Sequence, residues 1–185
     1  LSIREKVSMF ANVPVERVYN LYDLSSIYEI PLVLRELGLD AELFKILGVS
    51  PKENGNKTLN FSSWQDFVER TRNAQKEITV AMIGKYTNVH DSYLSIIKSL
   101  EHAAPYAGAR VRIKWVEATD IEDGKISAEE ALKGCDGAIV PGGFGKRGME
   151  GKVAAIKCIR ENSLPYLGLC YGMQLAVVEF ARNVC

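Results

Sequence analysis

Beyond residue 76, the chain alternates between short apolar runs and longer stretches in which apolar residues recur every three or four positions. The continuous run 78–83 is typical of a strand buried on both faces, and the longer stretches are typical of helices with one apolar side. This alternation predicts an α/β fold with a mostly parallel sheet flanked by helices. The predicted strands are 78–83, 111–116, 137–140 and 166–169, and the predicted helices begin near Asp91 and cover 127–133, 149–161 and 172–181.

The chain before this region has a different pattern, so we predict three segments. Residues 1–49 carry apolar residues mostly at helical spacing, with a break near Gly38. Residues 50–76 form a predicted linker, because 50–60 are polar and rich in turn-forming residues. A short helix ends this linker, and its Ser63 and Asp66 resemble a capping box. Residues 77–185 form the predicted α/β domain.

Composition narrows the possible partners. Lys and Arg together number 23, as do Asp and Glu, so the formal net charge is zero and no basic tract indicates nucleic acid. No apolar run approaches the roughly 20 residues that span a bilayer. We therefore expect no nucleic-acid partner and no membrane partner. The chain begins at Leu1 rather than at Met, which suggests a piece of a longer protein.

The cysteines indicate chemistry at one position only. The four cysteines form no C-x-x-C pair, and His90 and His102 complete no zinc-ligand spacing. This pattern predicts no metal site and a reduced, cytoplasmic protein. Only Cys170 has neighbours that packing does not explain.

Cys170 lies in a G-x-C-x-G sequence, from Gly168 to Gly172, between a predicted strand and a predicted helix. This is the thiol form of a nucleophile elbow, in which a tight turn demands small flanking residues and strains the backbone of the nucleophile. The positive end of the following helix favours the reactive thiolate. The sequence therefore predicts that Cys170 is a catalytic nucleophile. A small buried cysteine at the end of a strand is the alternative.

The glycine-rich loop 141–145 directly follows the third predicted strand. Backbone N–H groups in such a loop can bind an oxyanion, and we predict that Gly143 and Tyr171 supply these donors at Cys170. Residues 143–148 also match G-x-G-x-x-G, but no acidic residue ends the next strand as a dinucleotide site requires. A Walker A loop is excluded, because Lys146 is followed by Arg147.

A cysteine nucleophile normally needs a base, and neither histidine is favoured for this role. His102 lies within a predicted helix. His90 lies at the correct edge of the predicted sheet, but it is interpreted as a residue at a helix entrance beside Asp91. We therefore expect the base to lie outside these 185 residues.

These motifs resemble the class I glutamine amidotransferase domain of CTP synthases. The amino-terminal segments 3–6, 10–14 and 23–28 resemble the closing part of the synthetase domain of the same family, so the resemblance runs through essentially the whole chain. It implies a flavodoxin-like amidotransferase fold that is incomplete at its carboxyl end and is preceded by a helical segment. The matching motifs of the α/β region are Pro-Gly-Gly-Phe-Gly at 141–145, Arg147-Gly148 with Glu150-Gly151-Lys152, Gly-Leu-Cys-Tyr-Gly-Met-Gln at 168–174, Ile83-Gly84-Lys85-Tyr86, Asp91-Ser92-Tyr93 and Glu101-His102.

The resemblance implies an enzyme that converts UTP to CTP with ATP, using ammonia that is released from glutamine at the cysteine. It also implies GTP as activator, CTP as inhibitor and a homotetramer. Mg and ATP serve the complete enzyme, and this segment alone is expected to bind no cofactor. The implied site residues are Gly142, Gly143, Tyr171, Gly172, Met173 and Gln174 for glutamine, Lys6 for UTP or CTP, Asp23 and Leu24 for ATP, and Arg147 and Glu150 for a lid linked to GTP activation.

The sequence departs from the family pattern in three ways. The phosphate loop and the magnesium carboxylates are expected before Leu1, and the His and Glu partners of the cysteine are expected after Cys185. Tyr171 stands where the family commonly has Leu, which puts the shape of the glutamine pocket in doubt. An inactive or assembly-type copy of the family and a DJ-1-like cysteine hydrolase are the alternative functions, although segment 1–49 argues against the hydrolase.

Overall fold

A computed structural model describes residues 1–49, 61–85 and 87–185, which form two compact units, Leu1–Arg72 and Asn73–Cys185. The predicted linker segment at 50–60 and Tyr86 of the Gly-Lys-Tyr motif lie outside the described residues. The boundaries predicted from the sequence, at 49 and 76, stay predictions.

The first unit is helical. The break that was predicted near Gly38 is confirmed, because this glycine has a φ of +80° and separates two helices. Ser2 and Glu5 form a capping box at the start of the first helix. The helices of this unit are α1 (Ile3–Ala11), α2 (Ile30–Glu36), α3 (Leu39–Leu47) and α4 (Ser62–Asn73), with 3-10 turns at Val15–Arg17 and Ile27–Glu29.

Helix α4 differs from the prediction at its start. The carbonyl of Phe61 already accepts the N–H of Gln65, so the helix begins at Ser62 and the predicted capping box at Ser63 is wrong. The predicted apolar face is present, since Phe67 is buried and the indole of Trp64 donates a 2.8 Å hydrogen bond to the carbonyl of Tyr28. This face therefore packs within the first unit.

The second unit contains a four-stranded parallel sheet, as predicted. The strand order is β2-β1-β3-β4, and every neighbouring pair is parallel. β1 and β2 are longer than predicted because further pairs continue the ladder at both ends, such as Lys76 with Ala109 and Gly84 with Glu117. β4 ends one residue earlier than predicted. The strands are β1 (Lys76–Gly84), β2 (Ala109–Glu117), β3 (Gly137–Val140) and β4 (Tyr166–Gly168).

Helices cover both faces of this sheet. On one face, α5 packs against Val80, Met82 and Ile139, and on the other face α6 to α9 pack against Ala81 and Ile83. The short helix α6 was not predicted: unlike α7, which has the same length and begins after the cap residue Ser127, it has no side-chain cap that marks its start in the sequence. The helices are α5 (Leu94–Ala103), α6 (Ala118–Glu122), α7 (Ala128–Leu132), α8 (Met149–Glu161) and α9 (Tyr171–Asn183), with 3-10 turns at His90–Tyr93 and Ala104–Ala107.

Because all four strands are parallel, their carboxyl ends meet at one edge of the sheet. Lys85 follows β1 at this edge, the glycine-rich loop follows β3, and Cys170 comes two residues after β4. Ligands of open α/β sheets bind at this edge. Among the described residues, no helix is long and apolar enough to cross a membrane.

Candidate active site

Cys170 lies on the sharp turn that joins β4 to α9. Its backbone has φ +53° and ψ −107°, a conformation that costs free energy in any residue other than glycine, and the residue is exposed. A Cβ at Gly168 would lie 2.6 Å from the N of Met173, and a Cβ at Gly172 would overlap with the carbonyl oxygen of Val140. The strained elbow predicted from the sequence is thus present, and the alternative of a buried cysteine is wrong.

The glycine-rich loop lies against this thiol. A Cβ added to Gly142 would lie 3.5 Å from the Cβ and 3.8 Å from the Sγ of Cys170. Gly143 has a φ of +114°, which a residue with a side chain rarely adopts. Among the described residues, no acceptor pairs with the N–H of Gly143 or of Tyr171, so both donors are available to a ligand.

An aromatic contact also joins the loop to the elbow. The rings of Phe144 and Tyr171 have their centroids 5.1 Å apart and are tilted by 46°. The ring of Tyr171, at the position where the resemblance implies Leu, thus contacts the loop. The other residues of the elbow that the resemblance implies for binding substrate glutamine lie on the first turn of α9. Of these, Met173 and Gln174 are exposed.

Two lysines bind the loop through its carbonyl groups. The Nζ of Lys85 donates to the carbonyl of Phe144 at 2.9 Å and to that of Gly145 at 3.4 Å. The Nζ of Lys152, a fully buried residue, donates to the carbonyl of Pro141 at 3.5 Å. Three carbonyls of one five-residue loop thus accept hydrogen bonds from lysines.

Both lysines lie in motifs that resemble the family, but the sequence predicts no role for either of them. One signal was present for Lys152, which stands three residues after Met149 and four before Ile156 on α8. This spacing puts it on the apolar side of the helix. No comparable signal distinguishes Lys85, because its role depends on where the loop folds.

The end of β1 is held by a tyrosine. The hydroxyl of Tyr93 accepts a hydrogen bond from the N–H of Lys85 and donates one to the carbonyl of the same residue. A Cβ added to Gly84 would lie only 2.6 Å from this hydroxyl oxygen. The position of Lys85 therefore depends on a close approach between Gly84 and Tyr93.

A carboxylate interacts with Lys152. Glu117, at the end of β2, accepts hydrogen bonds from the N–H and the hydroxyl of Thr87 and from the hydroxyl of Thr119. Burial alone would raise the pKa of Glu117, but these hydrogen bonds lower it below its ordinary value. The group is thus a fixed negative charge that stabilises the positive charge of Lys152.

The predicted lid residues lie at the start of α8. The carboxylate of Glu122 accepts the N–H groups of Gly148 and Glu150, at 2.7 and 3.1 Å, and so caps this helix. The carboxylate of Glu150 pairs with the guanidinium of Arg182 on α9. Arg147 is exposed in the turn before the helix.

His90 does not lie near the thiol. Its ring stacks on Trp115 of β2, with centroids 4.3 Å apart and planes 4° from parallel. β1 and β3 lie between β2 and β4, which separates the two outer strands by about 14 Å. His102 is exposed on α5. These positions support the prediction that neither histidine is the base for Cys170.

The nucleotide residues implied for the first unit are not joined by any hydrogen bond or ion pair that the structure describes. Lys6 is exposed on α1, and Asp23 and Leu24 lie in an irregular segment before the turn Ile27–Glu29. In the described part of the chain, no group of three or more His, Cys, Asp or Glu residues could hold a metal ion.

Comparison with known proteins agrees with this geometry. Residues 88–185 match the family Glutamine amidotransferase class-I. The CTP synthase of Caldanaerobacter subterraneus is 45% identical over 182 residues, and that of Methanococcoides burtonii is 48% identical over 183 residues. These alignments cover 98% and 99% of this chain but 33% of each relative, so the chain spans about a third of their length.

A solved structure is also similar. The glutaminase domain of the Trypanosoma brucei CTPS, with bound acivicin, aligns with a TM-score of 0.52 and 42% sequence identity. The alignment covers 58% of this chain and 41% of that chain.

Proposed function

This chain belongs to the class I glutamine amidotransferase family, and we propose that Cys170 is the nucleophile that releases ammonia from glutamine. The observation that carries this proposal is the approach of the glycine-rich loop to an exposed thiol on a strained elbow, with Gly142 against the Sγ. This arrangement combines a nucleophile with free backbone donors beside it, as acyl transfer requires.

The proposed reaction has two steps. The thiolate of Cys170 attacks the side-chain amide carbon of glutamine, and the N–H groups of Gly143 and Tyr171 stabilise the resulting oxyanion. The C–N bond then breaks, and the nitrogen leaves as ammonia with the proton that the thiol gave to the base, which we expect outside these 185 residues. A thioester remains on the cysteine. Water hydrolyses the thioester to glutamate and restores the thiol. In this proposal, Gly142, Gly172, Met173 and Gln174 surround the substrate.

We further propose that the ammonia aminates UTP to CTP in an ATP-dependent reaction of the complete gene product. The support is the similarity to CTP synthases over nearly the whole chain, including the segment before residue 50. In this proposal Lys6 contacts UTP or CTP, Asp23 and Leu24 contact ATP, and Arg147 and Glu150 respond to GTP. CTP acts as inhibitor, and the enzyme is a homotetramer. The four free cysteines fit the reducing cytoplasm.

Replacement of the thiol tests the nucleophile. In the complete gene product, Cys170→Ala should abolish CTP formation from glutamine, but it should retain CTP formation from free ammonia, which bypasses the thiol. Cys185→Ser is the matched control, since Cys185 is also exposed, and it should retain both activities. Glutamine-dependent CTP formation by Cys170→Ala would refute the nucleophile, and a wild-type protein that forms no CTP from either nitrogen source would refute the proposed overall reaction.

A further inference from the structure

Lys152 is unusual because it is 0% exposed. Lysines are almost never fully buried unless they are paired, since removing a charge from water costs much free energy. In the described part of the chain, Lys152 forms no ion pair within hydrogen-bond distance, and its described polar contact is with the carbonyl of Pro141. The buried ammonium group of Lys152 thus contacts the glycine-rich loop.

The contact determines the orientation of a peptide group beside the thiol. In a trans peptide the C=O and the N–H point in opposite directions, and the described chain has no cis peptide bond. When Lys152 holds the carbonyl of Pro141, it therefore also fixes the direction of the N–H of Gly142. Gly142 is the loop residue that lies against the Sγ of Cys170.

Lys85 acts on the other end of the same loop. Its hydrogen bonds to the carbonyls of Phe144 and Gly145 fix the following peptide groups in the same way. The flexible Gly142-Gly143 pair thus lies between two anchored ends. Glycines have the largest conformational freedom to lose, so a loop of this kind needs external contacts to keep one conformation.

We propose that Lys152 is a positioning residue for the glutamine hydrolysis described above: its buried ammonium group holds the carbonyl of Pro141 and so keeps the glycine N–H groups of the loop in place for the oxyanion formed at Cys170. This inference rests on the proposed function. Lys152 does not touch the substrate, and it acts through the loop.

The role depends on the charge of the amine, because charged donors form stronger hydrogen bonds than neutral ones. Burial, and then the like charge of Lys85, lower the pKa of Lys152 to about 8, while Glu117 opposes this change. Carboxylates of the neighbouring helices have other partners: Glu122 of α6 caps α8, and Glu179 of α9 pairs with an arginine. The hold on the loop should therefore weaken as the pH rises through about 8.

The test compares two variants of the complete gene product. Lys152→Met removes the charge but keeps the length of the side chain. Lys157→Met is the matched control, because Lys157 is exposed on the same helix. At pH 7, Lys152→Met should lower kcat for glutamine hydrolysis about tenfold or more with little change in KM, and Lys157→Met should behave as wild type.

The pH profile separates positioning from a merely structural role. The ratio of wild-type to Lys152→Met rates should fall toward one as the pH rises through about 8, because only the wild type loses a charge there. A ratio of one at pH 7, or a ratio that does not change with pH, would overturn the inference.

Two further measurements keep the outcomes distinct. If Lys152→Met does not fold, hydrogen exchange of the wild type decides: protection of the amides of residues 142–148, corrected for intrinsic exchange, should fall through the same pH range, and constant protection would overturn the inference. Glutamine hydrolysis that survives in Cys170→Ala refutes the proposed function together with this inference. An inactive Cys170→Ala beside a normal Lys152→Met refutes the inference alone.

Discussion

At the scale of single residues, Lys152 joins a cost in stability to a benefit in positioning. Its pKa is about 8 in the folded protein against an ordinary 10.5, so the folded environment disfavours the protonated amine. A difference of this size corresponds to a free energy on the order of 3 kcal/mol. Proteins commonly accept such costs at functional sites, and a stabilising substitution there is expected to reduce activity.

This cost predicts a pH dependence of stability. Between pH 8 and 10.5 the unfolded chain binds the proton and the folded chain does not, so this group makes the free energy of unfolding rise with pH. Below pH 8 both states are protonated and the contribution is constant. Lys152→Met should therefore be more stable than wild type at pH 7, by an amount that shrinks as the pH approaches 10.5. Urea unfolding at several pH values measures this difference, and a difference independent of pH would contradict the prediction.

At the scale of elements, helix α8 depends on one glycine where it crosses α6. A Cβ added to Gly151 would overlap with the carbonyl oxygen of Ala118 and would lie 2.9 Å from the N of Glu122. The carboxylate of Glu122 also caps α8, so this crossing sets the position of the helix that carries Lys152.

In Gly151→Ala, packing and helix propensity have opposite effects on stability. Alanine favours a helix over glycine by about 1 kcal/mol, yet the added carbon must displace a backbone, so we expect a net loss of about 1–3 kcal/mol in stability. Lys157→Ala, on the exposed side of the same helix, should change stability by less than about 0.5 kcal/mol. Denaturant midpoints measure both, and a stabilised Gly151→Ala would show that α6 moves freely.

The elements differ in how well the sequence predicts them. The four strands correspond to short, mostly apolar segments between helical patterns, so their existence and their parallel arrangement could be predicted, and with them the sheet edge that carries Cys170. Their polar ends could not, because Lys76 and Glu117 pair in the ladder without being apolar. The roles of Lys85 and Lys152 could not be predicted either, since a sequence pattern indicates a buried face but not which carbonyl lies opposite it.

At the scale of the whole molecule, the strand order decides which groups can cooperate. Neighbouring strands bring the loop after β3 and the elbow after β4 together, and this neighbourhood could be predicted only as a shared edge. The same order puts Trp115, with His90 stacked on it, in the outer strand β2, whereas the thiol follows the other outer strand, β4.

This separation predicts that the 185 residues alone hydrolyse glutamine very slowly. The described histidines do not reach Cys170, and the missing base typically contributes about 10²–10⁴ to the rate. Ammonia release by the isolated chain should therefore be weak beside that of the complete gene product. Robust turnover by the isolated chain, lost on His90→Gln, would contradict the prediction and would identify His90 as the base.

The contact between Gly84 and Tyr93 has a consequence for the evolution of this chain. A side chain at position 84 would collide with the tyrosine hydroxyl, and loss of that hydroxyl would leave the backbone of Lys85 without its two hydrogen bonds. Either change alone should destabilise the protein, whereas a larger residue at position 84 could be tolerated once a smaller side chain has replaced Tyr93. Across related genes the two positions should change together or not at all, although eight residues lie between them in the chain.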